Sequence, residues 1–222
     1  MNPRFKNDNV GGTGGGYPNS MSETDQHRRA LRQQMRRQRR ALTRQQRAQA
    51  AQQLAQRLAS QPLFLRSQHI ALYLPNDGEL DLHPLMARAW QMGKRCYLPV
   101  LSPLYHNRLW FAPYTPDTPL QANRFGIPEP RLNWRRMRPV WSLDLVLTPL
   151  VAFDAQGNRL GMGGGYYDRT LAYLQRREHW RKPRLIGAAY GFQQVERLPV
   201  ASWDVPLEGI VTERGLIYGD AN

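Results

Sequence analysis

Leu143 to Phe153 reads LDLVLTPLVAF, and the fold turns on this stretch. Its apolar residues fall on successive rather than alternate positions, so an extended chain here would bury both faces. That is the pattern of a central strand in a sheet covered on both sides. The turn-forming residues Asp154 to Asn158 end it. Downstream, Tyr167 to Arg177 reads as a helix, Leu185 to Ala189 as a strand and Gly209 to Thr212 as the last strand. Upstream, His69 to Leu74 (HIALYL) reads as a buried strand followed by the turn Asn76-Asp77-Gly78. His83 to Met92 has the look of a short helix ending at Gly93, and Arg95 to Val100 (RCYLPV) of the next strand. Leu109 to Tyr114 is a further strand, and residues 115 to 139, rich in Pro, Asn and Arg, read as an irregular surface segment. Strands alternating with helices argue for a three-layer α/β/α domain around a central, mostly parallel sheet.

The amino-terminal quarter differs in kind. Residues 1–22 carry GGTGGG (Gly11 to Gly16) and read as a disordered tail, leaving 23–222 as a single domain. Leu31, Met35 and Leu42, then Ala51, Leu54, Ala55 and Leu58, recur at helical spacing with Arg and Gln between them. The spacing predicts one helix over about 24–40 and a second over about 44–60, with Thr43 as a cap. No acidic residue occurs between Gln26 and Asn76, whereas eleven arginines do, so this segment holds most of the formal charge of +14. Such a block attracts phosphate, whether of a nucleotide or of a nucleic acid.

The bulk numbers exclude other classes. At 222 residues and 41% hydrophobic content the chain is long enough to bury a core. It contains no run of about 18 apolar residues that would span a membrane, and Met1 to Ser22 lacks the apolar core of a secretory signal. Cys96 is the single cysteine, which rules out an internal disulfide or a cysteine-based zinc site and suits a reduced cytoplasm. A monomer is expected.

Arg159 to Arg169 (RLGMGGGYYDR) is the stretch that speaks most to chemistry. Glycines at 161, 163, 164 and 165 let backbone N–H groups approach an anion, and a following helix would add a partial positive charge. Arg159 and Arg169 can pair with phosphate oxygens, and Asp168 can ligate Mg²⁺. Neither standard nucleotide fingerprint is present: Lys6, Lys94 and Lys182 all lie far from the loop in sequence.

These residues resemble the signature of the 5-formyltetrahydrofolate cyclo-ligases, also called methenyltetrahydrofolate synthetases. Arg28 to Arg32 (RRALR) is similar to that family's basic ATP-binding motif. Tyr73 to Asp81 (YLPNDGELD) resembles its acidic loop at the folate pocket, and Leu198 to Thr212 (LPVASWDVPLEGIVT) its closing motif. The elements occur in family order across residues 26–214. The resemblance implies an ATP- and Mg²⁺-dependent ligase acting on 5-formyltetrahydrofolate, polyglutamylated forms included. It implies that Arg28, Arg29 and Arg32 hold ATP phosphates and that Arg159, Leu160, Gly161, Met162, Gly163, Gly164, Gly165, Tyr166 and Tyr167 wrap the nucleotide. Met162 to Tyr166 would also face the folate, together with Leu74 and Glu79. Arg159, Tyr166 and Arg169 would serve catalysis, and Asp168 and Asp204 would hold the metal. The pterin-stacking aromatic stays open among Tyr97, Trp110, Phe111 and Tyr166. The chain departs from the pattern at Gly164, where some members carry lysine, and at Glu208, where aspartate is common. Because the folate supplies its own nucleophile, the implied chemistry needs no catalytic Ser, Cys or His.

Two rival readings follow from the same sequence. The Arg-rich helices suit a nucleic-acid-binding protein, with salt-sensitive and sequence-independent binding. A sugar-phosphate or CoA enzyme on a related α/β fold is the other.

Overall fold

The computed structural model describes residues 22–131, 134–176 and 182–219. The tail expected over residues 1–22 therefore lies outside the described residues except for Ser22, as does Arg177 at the end of the expected 167–177 helix.

Helix α1 (Glu23–Ala41) starts where the Ser22 side chain accepts the Asp25 N–H, and it buries Leu31, Met35 and Arg39 at four-residue spacing. Thr43 and Gln46 cap each other's backbone to open α2 (Arg44–Ala59), whose buried stripe is Ala50, Ala51, Leu54, Ala55, Leu58 and Ala59. A single turn, α3 (Pro62–Leu65), leads into strand β1 (His69–Ala71), helix α4 (His83–Gln91), and strands β2 (Arg95–Leu101) and β3 (Leu109–Tyr114). The segment expected to be irregular holds a small hairpin, β4 (Leu120–Ala122) with β5 (Pro128–Pro130). Then come β6 (Leu145–Pro149), β7 (Ala152–Phe153), β8 (Arg159–Leu160), α5 (Tyr166–Leu171), β9 (Arg184–Ala188), β10 (Gly209–Thr212) and β11 (Gly215–Tyr218).

The main sheet has seven strands in the order β11-β10-β9-β6-β1-β2-β3. Its five inner strands are parallel, and β11 and β3 pair antiparallel at the edges. One core cluster seats α2, α3 and α4 on one face; a second seats Val140, Leu143, Leu171 and Val205 on the other. This is the expected three-layer α/β/α arrangement with a mostly parallel sheet. Its strand order reverses between β1 and β6, and in open α/β sheets ligands bind outside the carboxyl ends of the strands at such a point.

Four expectations need correction. The Leu143–Phe153 run is not one strand: β6 stops at Pro149, and β7 leaves the sheet to pair with β8. Pro149 donates no backbone hydrogen bond, and the chain instead uses Val151 N–H to reach Leu160 O at 2.7 Å. Strand β1 spans only His69–Ala71, because beyond it the chain must turn over the sheet end. The helix after the glycine loop is α5 alone, continued by a 3-10 turn over Ala172–Arg176. An additional strand, β11, follows the one expected to be last, paired across a tight turn.

Candidate active site

The site is assembled at the carboxyl ends of β1 and β6. Asp154, fully buried, accepts N–H bonds from Gln156, Asn158 and Leu198, and so folds the β7–β8 hairpin back toward the sheet. The hairpin delivers Gly161–Gly165 to the end of the sheet. Gly163 (φ 102) and Gly165 (φ 64) adopt left-handed backbone, and a Cβ at Gly165 would sit 2.7 Å from the Arg169 guanidinium. Arg32 Nε donates to Gly161 O at 2.8 Å, and Arg169 Nη1 donates to Gly164 O at 2.7 Å. Met162, Gly163 and Gly164 are left exposed at the crest. Helix α5 has only six residues, so cationic side chains rather than its dipole dominate the local field. Burial, and then the neighbouring Arg28, lower the Arg32 guanidinium below its usual range, as befits a cation crowded by another cation.

The remaining charged candidates form two ion pairs. Arg28 bonds Pro199 O and pairs with Asp204, and Arg159 pairs with Asp168 while donating to Val205 O. Arg159 was expected to reach phosphate, but its side chain is only 4% exposed and lies beneath the loop. Burial lowers its guanidinium too. Each aspartate commits one oxygen to its partners. Asp168 Oδ2 and Asp204 Oδ1 have no hydrogen bond among the described residues. Glu208 instead forks onto Arg184, far from the loop in its bonding. No group of three or more metal-ligating side chains occurs among the described residues.

Glu79 lies across from the loop with its side chain 10% exposed. Its Oε2 accepts the Asn76 N–H at 3.1 Å, and Oε1 lies 3.9 Å from Arg39 Nη1. Burial pushes the Glu79 carboxyl up to about 7, against the lowering pull of Asn76 and Arg39. Tyr73 and Tyr167 face it, and burial and then the nearby Glu79 raise both phenols above their usual value. Leu74 is half-buried beside this pocket's core, and Leu160 is buried, so only its backbone is available. Arg29 is exposed on α1.

Tyr166 sits at the mouth of a groove of about 530 Å³, lined on its other sides by Tyr105, His106, Arg108, Asn123 and Arg124. Arg124 Nη2 donates to Tyr166 Oη at 2.7 Å, and Phe125 meets the Tyr166 ring edge-on at 5.9 Å. Tyr97 and Phe111 are core residues at 3% and 1% exposure, which leaves Tyr166 and Trp110 as aromatics able to meet a ligand. Sequence reasoning missed Arg39, Arg124 and Phe125. For Arg39 a signal existed: it continues the Leu31–Met35 stripe at four-residue spacing, so the helical period alone puts it inside. For Arg124 and Phe125 there was none, since they lie in the loop joining β4 to β5, which has no periodicity.

No helix among the described residues is long and apolar enough to cross a membrane. A model of the 5-formyltetrahydrofolate cyclo-ligase family matches residues 24–213. The Escherichia coli K12 protein named 5-formyltetrahydrofolate cyclo-ligase is 47% identical over 156 residues, covering 70% of this chain and 84% of that protein. The Haemophilus influenzae protein of the same name is 49% identical over 148 residues, covering 66% of this chain and 76% of that protein. An NMR structure of Aquifex aeolicus 5,10-methenyltetrahydrofolate synthetase superposes with a TM-score of 0.73 at 33% identity, covering 88% of this chain and 94% of that one.

Proposed function

Because the chain belongs to the 5-formyltetrahydrofolate cyclo-ligase family, we propose that it closes 5-formyltetrahydrofolate to 5,10-methenyltetrahydrofolate, converting ATP to ADP and phosphate. The observation that carries this reading is the meeting of two unlike half-sites. A glycine loop braced by Arg32 and Arg169 stands against a buried carboxylate, with Met162 and Arg39 at the seam. One half suits a polyphosphate and the other the N–H edge of a pterin.

The formyl oxygen on N5 is a poor leaving group, so ring closure needs activation. Transfer of the γ-phosphoryl group to that oxygen breaks the bond to ADP and gives an iminium phosphate. N10 then attacks the formyl carbon, and departure of hydrogen phosphate, which takes up the N10 proton, leaves the methenyl bridge. Phosphoryl transfer rests on positioning and on neutralising charge. Arg28 and Arg32 on α1 and Arg169 on α5 bring cations to the loop. Arg159 acts from below by holding Asp168. Asp168 and Asp204, each with one carboxylate oxygen free of hydrogen bonds among the described residues, would hold Mg²⁺, which would neutralise phosphate charge there. Glu79 and Leu74 receive the pterin, and Tyr166, steadied by Arg124, flanks the formyl end. We place the protein in the cytoplasm as a monomer, where the buried Cys96 thiol, pushed up to about 12 by burial, stays inert.

The test is the near-UV absorbance of the methenyl product on mixing protein, 5-formyltetrahydrofolate, Mg²⁺ and ATP. An ATP-dependent rise that chelation of Mg²⁺ abolishes is expected. No rise from folded protein at any pH between 6 and 9 on the order of hours would overturn the reading.

A further inference from the structure

Arg39 has no part in the family signature described above, yet it is the largest fully buried side chain among the described residues. A guanidinium taken out of water is unfavourable unless opposite charges and acceptors answer it. The answers come from four segments. Nη1 donates to Leu150 O at 3.4 Å beyond β6 and lies 3.9 Å from Glu79 Oε1. Nη2 donates to Asp77 Oδ2 at 3.2 Å and lies 3.9 Å from Met162 Sδ of the glycine loop. Nε is buried with no hydrogen-bond partner. The acidic turn is moulded onto this residue: Asp77 and Gly78 both have positive φ (50° and 75°), and a Cβ on Gly78 would come within 3.3 Å of Arg39 O.

We propose that Arg39 is a positioning residue of the folate half-site: it favours the charged form of the Glu79 carboxylate and turns it toward the ligand. The proposal rests on the folate reading of Glu79. A carboxylate accepts two N–H bonds from a pterin edge, whereas a carboxylic acid offers a donor where an acceptor is needed. The groups facing Glu79 explain why a fixed cation is required. Tyr73 of the β1 end, Tyr167 of α5 and Tyr190 beyond β9 are phenols that burial raises, so they stay neutral and lend no charge. Tyr190 Oη bonds the Glu79 backbone oxygen at 3.5 Å rather than its carboxylate. Asp77 opposes ionisation of Glu79 by like charge, and its own three partners, Arg36, Arg39 and Arg40, hold it anionic. Arg39 is the cation that touches both carboxylates.

Arg39 and Asp77 therefore pull Glu79 in opposite directions, which gives the test its sign. The KM for 5-formyltetrahydrofolate is measured from pH 6 to 9 in the full chain, for the native protein and for Arg39→Gln, Asp77→Asn and Glu79→Gln. In the native protein KM falls as pH rises through about 7, where Glu79 ionises. Arg39→Gln moves that fall upward, raising KM at pH 7 about fivefold for a displacement of one unit and converging on the native value at high pH. Its kcat stays within about twofold, since the substitution acts on binding. Asp77→Asn moves the fall downward, and Glu79→Gln abolishes it. A KM raised equally at every pH in Arg39→Gln, or both variants displacing the profile the same way, would show Arg39 to be merely structural. If Arg39→Gln does not fold, Asp77→Asn decides alone: a downward displacement supports the proposal, and an unmoved or upward one overturns it. A native protein that converts no folate defeats the underlying reading, while an active one with unmoved profiles defeats only the role of Arg39.

Discussion

Helices α1 and α2 draw on the same residues and do opposite things with them. Both are rich in Arg and Gln, and each follows a short polar cap. Helix α2 turns Arg47 onto Arg40 O and Leu42 O beside its own start and Arg57 onto Glu213 O just beyond β10, and packs a stripe of Ala and Leu beneath α4 and the sheet. Helix α1 has a thin apolar contact, Leu31 and Met35 against Val151, Ala152, Leu160 and Leu198, and its inward stripe ends in an arginine. Its Arg28, Arg32 and Arg39 reach the closing motif, the glycine loop and the acidic turn in turn. The lesson is that the basic segment contains a scaffold helix and a site helix, and that composition does not separate them. What separates them is which helix crosses the carboxyl end of the sheet, where the strand order reverses.

The comparison can be broken at its strongest point by removing a core side chain from α2. Leu54→Ala, at 0% exposure, should lower stability by about 3 kcal/mol in chemical denaturation while leaving turnover per folded molecule unchanged. Loss of specific activity in the folded fraction would mean that α2 shapes the site after all.

The next effect belongs to the carboxylate that α1 serves. Glu79 holds its proton up to about 7 when folded against an ordinary 4.5. Below pH 4.5 both folded and unfolded chains carry that proton, and between 4.5 and 7 only the folded chain does. Stability therefore falls as pH rises through this window, by up to roughly 3 kcal/mol. Glu79→Gln removes that decline, so the variant should gain stability over the native protein at pH 8 but not at pH 4, and should lose folate affinity. Urea titrations at the two pH values measure it, and equal differences at both would contradict the placement of Glu79 in a dry pocket.

The smallest effects sharpen the contrast arginine by arginine. Arg32→Ala should weaken ATP binding by about 2 kcal/mol, as expected for a charged hydrogen-bonding group. Arg57→Ala on α2 should change both ATP binding and stability by less than about 0.5 kcal/mol. Isothermal titration with ATP compares them directly, and equal losses would erase the distinction between the two helices.

Much of this was legible beforehand. The periodicity of Leu31–Met35 and Leu54–Leu58 set both helices to within about two residues of their observed ends. Thr43 was legible as a cap because a β-hydroxyl before a helical pattern has few other uses. The apolar run Leu143–Phe153 marked the centre of the sheet but concealed its own break, since both halves are buried, one within the sheet and one beneath α1. For the site, the glycine loop and the acidic turn stood out as motifs. That Arg159 lies under the loop was hidden, because an arginine that pairs inward and one that faces a ligand look alike in sequence.

By itself the sequence determined the elements, their alternation, and the motifs that carry phosphate and acid chemistry, because these follow from local backbone preference and from the period of apolar residues. Only the tertiary structure decided which charges meet. Arg39 finds Asp77, Glu79, Leu150 and Met162 from 38 to 123 residues away. Such pairings come from the strand order and from the one end of the sheet that the chain leaves open, and no local pattern encodes either. A buried charge takes its role from the dielectric and the partners around it, and those exist only once the sheet is assembled.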